Sequence, residues 1–210
     1  MGSILTIAAW AAGVIAAIVG LLVVFWKAYF LRKPERKIPK KGIVSPANGK
    51  VVKIIDFSGE KANVEKGLLG KVKVMTKDVA QKGKIIVIMM TPFNVHYQRA
   101  PLDGEVVGQK HEEGKLLNAV KGAEGCRASF ENEKNTITIK SGKMTVKVVQ
   151  VAGFLARRIE SYVKVKQKIH KGQTIGRINL GSQVLLVIPE MKIRVKEGDT
   201  VVDGETIIAG

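Results

Sequence analysis

The sequence predicts a mainly β fold, a barrel-sandwich or lipoyl-like domain with one short helix, behind a single N-terminal membrane-spanning helix. Three observations carry this: a charge-free apolar opening, period-two alternation through much of the remainder, and Gly-bearing turns that recur with related residues around them.

Residues 1–26 contain no charged side chain, and between Ile4 and Trp26 only Thr6, Gly13 and Gly20 depart from apolar character. Those 23 residues would make a helix of roughly 35 Å, enough to cross a bilayer core of about 30 Å with some tilt. Trp10 near one end and Phe25, Trp26, Tyr29 and Phe30 near the other suit the two membrane interfaces. The run is too long for a cleaved secretory signal and has no basic stretch ahead of it, so residues 1–30 read as a retained anchor. The small residues Ala9, Gly13 and Ala17 would let two anchors pack, which leaves a homodimer open.

A basic juxtamembrane linker, residues 31–42, follows. From Lys27 to Lys41 seven Lys and Arg are opposed only by Glu35. By the positive-inside rule this end, and with it the bulk of the chain, faces the cytoplasm at the cell membrane. The cluster either only stops transfer or also holds the domain against an anionic lipid surface.

Residues 43–210 keep an excess of base, 28 Lys+Arg against 17 Asp+Glu. Lys71–Val74, Thr136–Lys140, Thr145–Val148 and Tyr162–Lys166 alternate at period two, so most of that lysine is the solvated face of half-buried strands. A short helix is expected around Phe154 to Ser161, after Gly153. Pro46-Ala-Asn-Gly-Lys-Val-Val52 recurs as Pro101-Leu-Asp-Gly-Glu-Val-Val107, and Val195–Val201 echoes Val165–Gly172 in turn chemistry. Each echo sets a Gly turn before an apolar strand, the pattern of pseudo-symmetric hairpins. Cys126 is the sole cysteine, which excludes a disulfide framework and any multi-cysteine metal site, and no metal is expected. Nucleic acid is not an expected partner despite the charge, because this region holds only six scattered aromatics, too few for a stacking platform.

His111 and His170 lie beside charged residues in turn-like contexts and read as solvated. His96 follows the apolar run Ile85–Met90 and stands in Thr91-Pro-Phe-Asn-Val-His-Tyr-Gln-Arg-Ala-Pro101, pinned by two prolines. Such a loop either buries a structural histidine or positions a functional one. Gly181-Ser182 leads directly into Val184–Ile188, by pattern a turn before a buried strand. Leu180 and Val184 occupy the places where a Gly-x-Ser-x-Gly elbow needs glycine, so a conventional serine hydrolase is not supported.

Taken together, these segments resemble the phosphatidylserine decarboxylase family, in the short form found in bacteria and archaea, whose archaeal members act on archaetidylserine. Tyr29–Pro39 is similar to the family's aromatic-Arg-Pro-Arg-Pro segment and Ser45–Val51 to its Ser-Pro-x-Asp-Gly-x-Val segment. Thr91–Pro101 resembles its His-bearing loop, Ala156-Arg-Arg-Ile159 its Ala-Arg-Arg-Ile helix, and Gly181-Ser182 falls at its self-cleavage site. The resemblance implies a proenzyme. The Ser182 hydroxyl attacks the Gly181 carbonyl, the ester eliminates, and hydrolysis of the dehydroalanine leaves a pyruvoyl group derived from Ser182 on a 29-residue chain, residues 182–210. That ketone, with no external cofactor, acts as electron sink while carbon dioxide leaves the serine headgroup of a phospholipid in the membrane.

The resemblance also implies roles. Ser182 is the nucleophile, His96 the base or proton donor, and position 48 the carboxylate that orients the histidine. This sequence has Asn48, and an amide neither balances an imidazolium nor enforces its tautomer, a swap that costs about 10⁴ in rate in triads. The chain is therefore expected to remain an uncleaved proenzyme. Arg99 stands where larger bacterial members have a second histidine, and Arg99, Arg157 and Arg158 are candidates for the lipid phosphate or for structural ion pairs. The alternative is a membrane-anchored biotinyl- or lipoyl-like carrier or adaptor domain bearing Lys192, although only 18 residues follow that lysine.

Overall fold

The computed structural model describes residues 2–59, 61–65, 71–113, 133–152, 158–179 and 182–210. The chain falls into two compact units, Met1–Pro34 and Glu35–Gly210.

In the first unit, helix α1 spans Gly2–Val24 and continues into a π-helical turn, Phe25–Phe30. Side chains from Ser3 to Val24 are all exposed, and the helix is long and apolar enough to cross a membrane. Leu31 N–H donates to the Trp26 carbonyl at 3.0 Å, closing the wider turn. Its aromatic residues stack four apart, Phe25 on Tyr29 at 5.4 Å and Trp26 on Phe30 at 4.4 Å. Arg32 closes the helix end: it lies 3.9 Å from the Tyr29 ring centroid and donates to the Tyr29 carbonyl at 2.7 Å, a cation at the negative end of the helix dipole.

The second unit is built of strands: β1 Ile43–Val44, β2 Gly49–Ser58, β3 Lys61–Glu65, β4 Lys71–Met75, β5 Lys82–Met90, β6 Tyr97–Arg99, β7 Gly104–Glu112, β8 Lys134–Ser141, β9 Met144–Val151, β10 Ile159–Ser161, β11 Lys168–Ile169, β12 Thr174–Ile178, β13 Ser182–Pro189, β14 Thr200–Val201 and β15 Ile207–Ala209. Eight form an antiparallel sheet in the order β11-β7-β8-β9-β13-β5-β2-β14. Smaller sheets are β10-β12-β6, β1-β15 and the hairpin β3-β4. The continuous apolar run from Val184 to Ile188 is explained by its place, since β13 lies between β5 and β9 and is covered on both faces. Val184, Leu186 and Ile188 join the larger core with Val51, Ile86, Ile88, Ile137 and Val148. Leu185 and Val187 join a second cluster with Phe57, Ile85, Val87 and Val149.

The sequence echo is a structural repeat. A Cβ at Gly49 would run into the Met89 carbonyl and the Ile88 methyl, and one at Gly104 into the Lys140 carbonyl and the Ile139 methyl, so both sites require glycine. Two residues later each strand shifts register, at Val51 and at Val106. Val51 N–H donates to the Asp199 carbonyl at 2.8 Å and Val106 N–H to the Gln167 carbonyl at 2.9 Å. The returning turns match as well: Lys196 N–H donates to the Asp199 side chain, Lys164 N–H to that of Gln167. The partner of Val195–Val201 is thus Val163–Ile169, two residues earlier than the sequence pattern suggests. Lys166, the one described non-Gly residue at positive φ (71°), takes the place of Gly198 (96°), which hid the correspondence.

The helix expected over Phe154–Ser161 is corrected over its described part. Ile159–Ser161 is strand β10, paired with β12 through Ile159 opposite Ile178. Ile159 is buried beside that partner, while Glu160 and Ser161 are half-exposed, and the cross-strand pairing defines the element. Residues 153–157, including Arg157, lie outside the described residues.

Residues ahead of β1 are tied to the far end of the chain. Asp203 is fully buried and takes Arg99 Nε at 2.7 Å and Arg36 Nη2 at 2.6 Å, while Lys37 N–H donates to Glu205 at 2.9 Å. Removing one member of a buried ion pair strands the other charge at a cost of about 3–5 kcal/mol. Asp203→Ala should therefore lower the unfolding free energy by about that amount, and Asp203→Asn by less, in urea titrations of the detergent-solubilised chain. A loss under about 1 kcal/mol for the alanine variant would show that the Arg36–Asp203–Arg99 cluster does not hold the two ends together.

Candidate active site

Three neighbouring strands bring the sequence candidates to one place. Ser182, the first residue of β13, stands opposite Met90, the last residue of β5, and Met89 stands opposite Lys50 near the start of β2. Asn48 immediately precedes β2 and the Thr91–His96 segment immediately follows β5. The antiparallel order β13-β5-β2 thus sets Ser182, the histidine loop and Asn48 at the same end of the sheet.

Short-range bonds fix the loop. Asn94 Oδ1 accepts from the Thr91 N–H at 2.7 Å and from the Thr91 hydroxyl at 2.8 Å, and Asn94 N–H donates to the Thr91 carbonyl at 3.0 Å. Asn94 Nδ2 then donates to Asn48 Oδ1 at 2.8 Å, which ties the loop to the segment before β2. That segment is itself held, because Ser45 Oγ bonds the Ala47 carbonyl and the Pro46 carbonyl accepts from Arg99 N–H at 2.9 Å. His96 is fully buried.

Both sides of the 181–182 bond are bound to the two sides of this loop. Upstream, β12 pairs with β6, Arg177 opposite Tyr97, and Ile178 N–H donates to the His96 carbonyl at 3.2 Å. Downstream, Ser182 is in register with Met90. Gly181 itself lies outside the described residues.

Behind His96 runs a chain of side-chain amides that sequence analysis missed. Gln98 Nε2 donates to the His96 carbonyl at 2.8 Å, Gln150 Nε2 to Gln98 Oε1 at 2.7 Å, and Asn135 Nδ2 to Gln150 Oε1 at 2.7 Å. All three residues are fully buried, where an unsatisfied amide would cost about 1–3 kcal/mol. The available signal was Gln150 inside Val148-Val149-Gln150-Val151, a polar residue within an otherwise apolar run.

On the outer side of β6 and its neighbours, Tyr97, Arg177 and Glu160 are cross-strand partners. Arg177 donates to Glu160 at 2.7 Å and lies 5.8 Å from the Tyr97 ring centroid, and Tyr162 donates to Glu160 at 3.0 Å. The Arg177 hydrogen bond holds the Glu160 carboxyl below its ordinary 4.5. Desolvation and the Glu160 bond together push the Tyr162 phenol up to about 12. With 44% of Tyr162 exposed, the carboxylate contact is the firmer of those two causes.

The two described arginine candidates, Arg99 and Arg158, separate. Arg99 is buried and bonds Asp203 and, at 2.9 Å, the Gly172 carbonyl, which is the structural ion pair of the two alternatives. Arg158 is exposed, its Nε 3.9 Å from Glu160. Lys192 does not occupy a hairpin tip: its carbonyl accepts from Gly210 N–H at 3.2 Å beside the Ile193–Ala209 bridge, so the carrier reading is not favoured.

Residues 25–209 match the family model described as phosphatidylserine decarboxylase. A phosphatidylserine decarboxylase proenzyme of Chlorobaculum tepidum is 37% identical over 200 residues, covering 93% of this chain and 82% of that one. A putative archaetidylserine decarboxylase proenzyme of Methanocaldococcus jannaschii is 39% identical over 185 residues, covering 86% and 87%. A second one so named, from Methanothermobacter thermautotrophicus, is 36% identical over 193 residues, covering 89% and 81%.

The Glu160 cluster has a testable pH signature. A carboxyl held below 4.5 contributes stability above that pH and loses it as pH falls through the depressed value; a phenol raised to about 12 contributes stability below pH ~10 and loses it as pH rises towards 12. Phenolate absorbance of the parent minus that of Tyr162→Phe should titrate with a midpoint near 12, and Glu160→Gln should bring it back towards 10. A midpoint near 10 in the parent would remove the Tyr162–Glu160 bond as a persistent feature.

Proposed function

The chain belongs to the phosphatidylserine decarboxylase family, and from that premise we propose that it is a membrane-anchored carboxy-lyase, made as a proenzyme, that converts phosphatidylserine or archaetidylserine to the ethanolamine phospholipid. The observation that carries the reading is the convergence at one sheet end: Ser182 heads β13 opposite Met90, and the His96 carbonyl bonds the strand that leads to residue 181. A peptide bond bracketed by the two sides of a histidine loop suits intramolecular attack, because the reacting groups need no encounter.

In this reading the Ser182 hydroxyl attacks the Gly181 carbonyl and His96 takes its proton. A pyruvoyl group formed there supplies a ketone as electron sink for decarboxylation of a primary amine substrate. The residues fit that group: it is made from the atoms of Ser182, needs no separate ligand set, and would stand where the His96 loop and Asn48 meet β13. His96 is assigned as proton donor when carbon dioxide has left. Arg158, with Arg157, is assigned to the lipid phosphate. The anchor and the Lys27–Lys41 cluster are assigned a single pass with the β domain on the cytoplasmic side, at the headgroup plane of an anionic membrane. The paired Gly-turn hairpins support a barrel-sandwich arrangement for that domain.

Asn48 is assigned as the reason for an uncleaved state. Its Oδ1 accepts from Asn94 as a carboxylate oxygen would. The difference lies in the second atom, which is an N–H donor in an amide and an acceptor with negative charge in a carboxylate. Without that charge an imidazolium formed at His96 is not balanced.

Intact mass decides. The parent should remain one species of about 22.8 kDa, whereas Asn48→Asp should yield residues 1–181 and 182–210, the smaller carrying pyruvoyl, and Ser182→Ala in that background should not cleave. The cleaved protein should release carbon dioxide from serine phospholipid vesicles and stop on treatment with hydroxylamine. Cleavage of the parent as fast as Asn48→Asp would remove position 48 as the switch, and decarboxylation that ignores hydroxylamine would exclude a pyruvoyl group.

A further inference from the structure

We propose that Gln98, Gln150 and Asn135 form a positioning relay that sets His96 against the 181–182 bond. This rests on Ser182 being the self-cleaving nucleophile, and it assigns residues that the serine, the histidine and position 48 leave out. The bonds run in one direction. Asn135 donates to Gln150, Gln150 to Gln98, and Gln98 to the His96 carbonyl, each at 2.7–2.8 Å. A relay of this kind has one satisfied arrangement, because reversing one amide sets two donors or two acceptors face to face. The His96 carbonyl at its end is also the acceptor for Ile178 N–H, so one oxygen joins the amide chain, the histidine and the strand leading to residue 181.

The fold makes room for the relay at a cost to regular pairing. At Gly176 a Cβ would lie 2.7 Å from Gln150 Nε2 and 2.6 Å from the Glu160 carbonyl. Between Thr174 and Gly176 the β12–β6 register also shifts. A glycine and a register shift in a buried strand weaken it, and here they stand where Gln150 reaches across to Gln98. An aliphatic side chain at position 150 would fill an apolar core with no such provision. The relay acts through His96 and touches no reacting atom in this scheme, so its members are positioning residues.

The test uses full-length protein in detergent, in whichever of the parent or the Asn48→Asp chain cleaves. The readout is the first-order rate of appearance of the 29-residue fragment as a function of pH, with the melting temperature followed alongside. Gln98→Met and Gln150→Met keep length and lose the amide; each should slow cleavage about 10- to 100-fold, the cost of a misplaced group, at temperatures well below melting. The double variant should be no slower than the slower single one, because one break disables the relay. Gln150→Glu adds a signature that packing does not produce. Its protonated carboxyl can accept from Asn135 and donate to Gln98, whereas its ionised form cannot donate, so its rate relative to the parent should rise as pH falls.

Folded Gln98→Met and Gln150→Met variants that cleave within twofold of the parent would overturn the relay. So would a Gln150→Glu rate ratio that does not change with pH, and this second measurement decides the matter if the methionine variants do not fold. If neither the parent nor Asn48→Asp cleaves at all, the assignment of Ser182 fails and the relay falls with it.

Discussion

The double burial of β13 is the constraint on which the rest of the second unit depends. Val184, Leu185, Leu186, Val187 and Ile188 are all inaccessible, which requires side chains packed on both faces and hydrogen-bonded strands on both edges. Such a strand has no freedom to slip, because a shift of one residue would exchange the contents of two different cores. Its first residue is Ser182, so the position of that residue is set by the most tightly determined element in the fold. The end of β5 and the start of β2 are then fixed by the same ladder, and the histidine loop and Asn48 with them.

The internal repeat explains what surrounds this strand. The two halves share Pro-x-x-Gly turns, register shifts at Val51 and Val106, and returning turns at Gly198 and Lys166. In this correspondence Asn48 is the counterpart of Asp103. Asp103 accepts the Lys171 N–H at 3.0 Å on an exposed surface, while Asn48 accepts Asn94 Nδ2 beside the buried histidine. One turn geometry thus offers a side-chain acceptor twice, and one of the two is tied to the Thr91–His96 loop. The repeat supplies the scaffold, and the contents of the Thr91–His96 loop make one copy differ from the other.

Much of this was legible in the sequence because it follows from period and turn chemistry. The apolar opening helix, the alternation at Lys71–Val74, Thr136–Lys140 and Thr145–Val148, the continuous run of β13 and the Gly echoes are local patterns, and each corresponds to a described element. The alternation at Tyr162–Lys166 does not, since that segment is the loop and turn between β10 and β11, with Lys166 at positive φ. The short helix failed over Ile159–Ser161 because pairing of Ile159 with Ile178 overrides a local preference. For Arg99 the sequence left a lipid phosphate and a structural ion pair open, because nothing adjacent in sequence announces Asp203, far along the chain, as its partner. The amide relay was illegible for the same reason: Gln98, Gln150 and Asn135 come from three strands, and only the polar interruption at Gln150 marks the place.

A fold cut after residue 181, as proposed, would have to hold without that bond, and the contacts of residues 182–210 show how it would. The fragment would keep β13 hydrogen-bonded to β5 and β9, β14 to β2 and β15 to β1. The five fully buried aliphatic side chains of β13 alone, at about 1.5–3 kcal/mol each, amount to a hydrophobic attachment of order 10 kcal/mol. Asp203 adds a charged tie on the same fragment, holding Arg36 from the segment ahead of β1 and Arg99 from β6. A cut there would fall at the head of the strand and spare its ladder, so the chemistry proposed for Ser182 would free a chain end at the candidate site while the strand that positions it stays in the sheet.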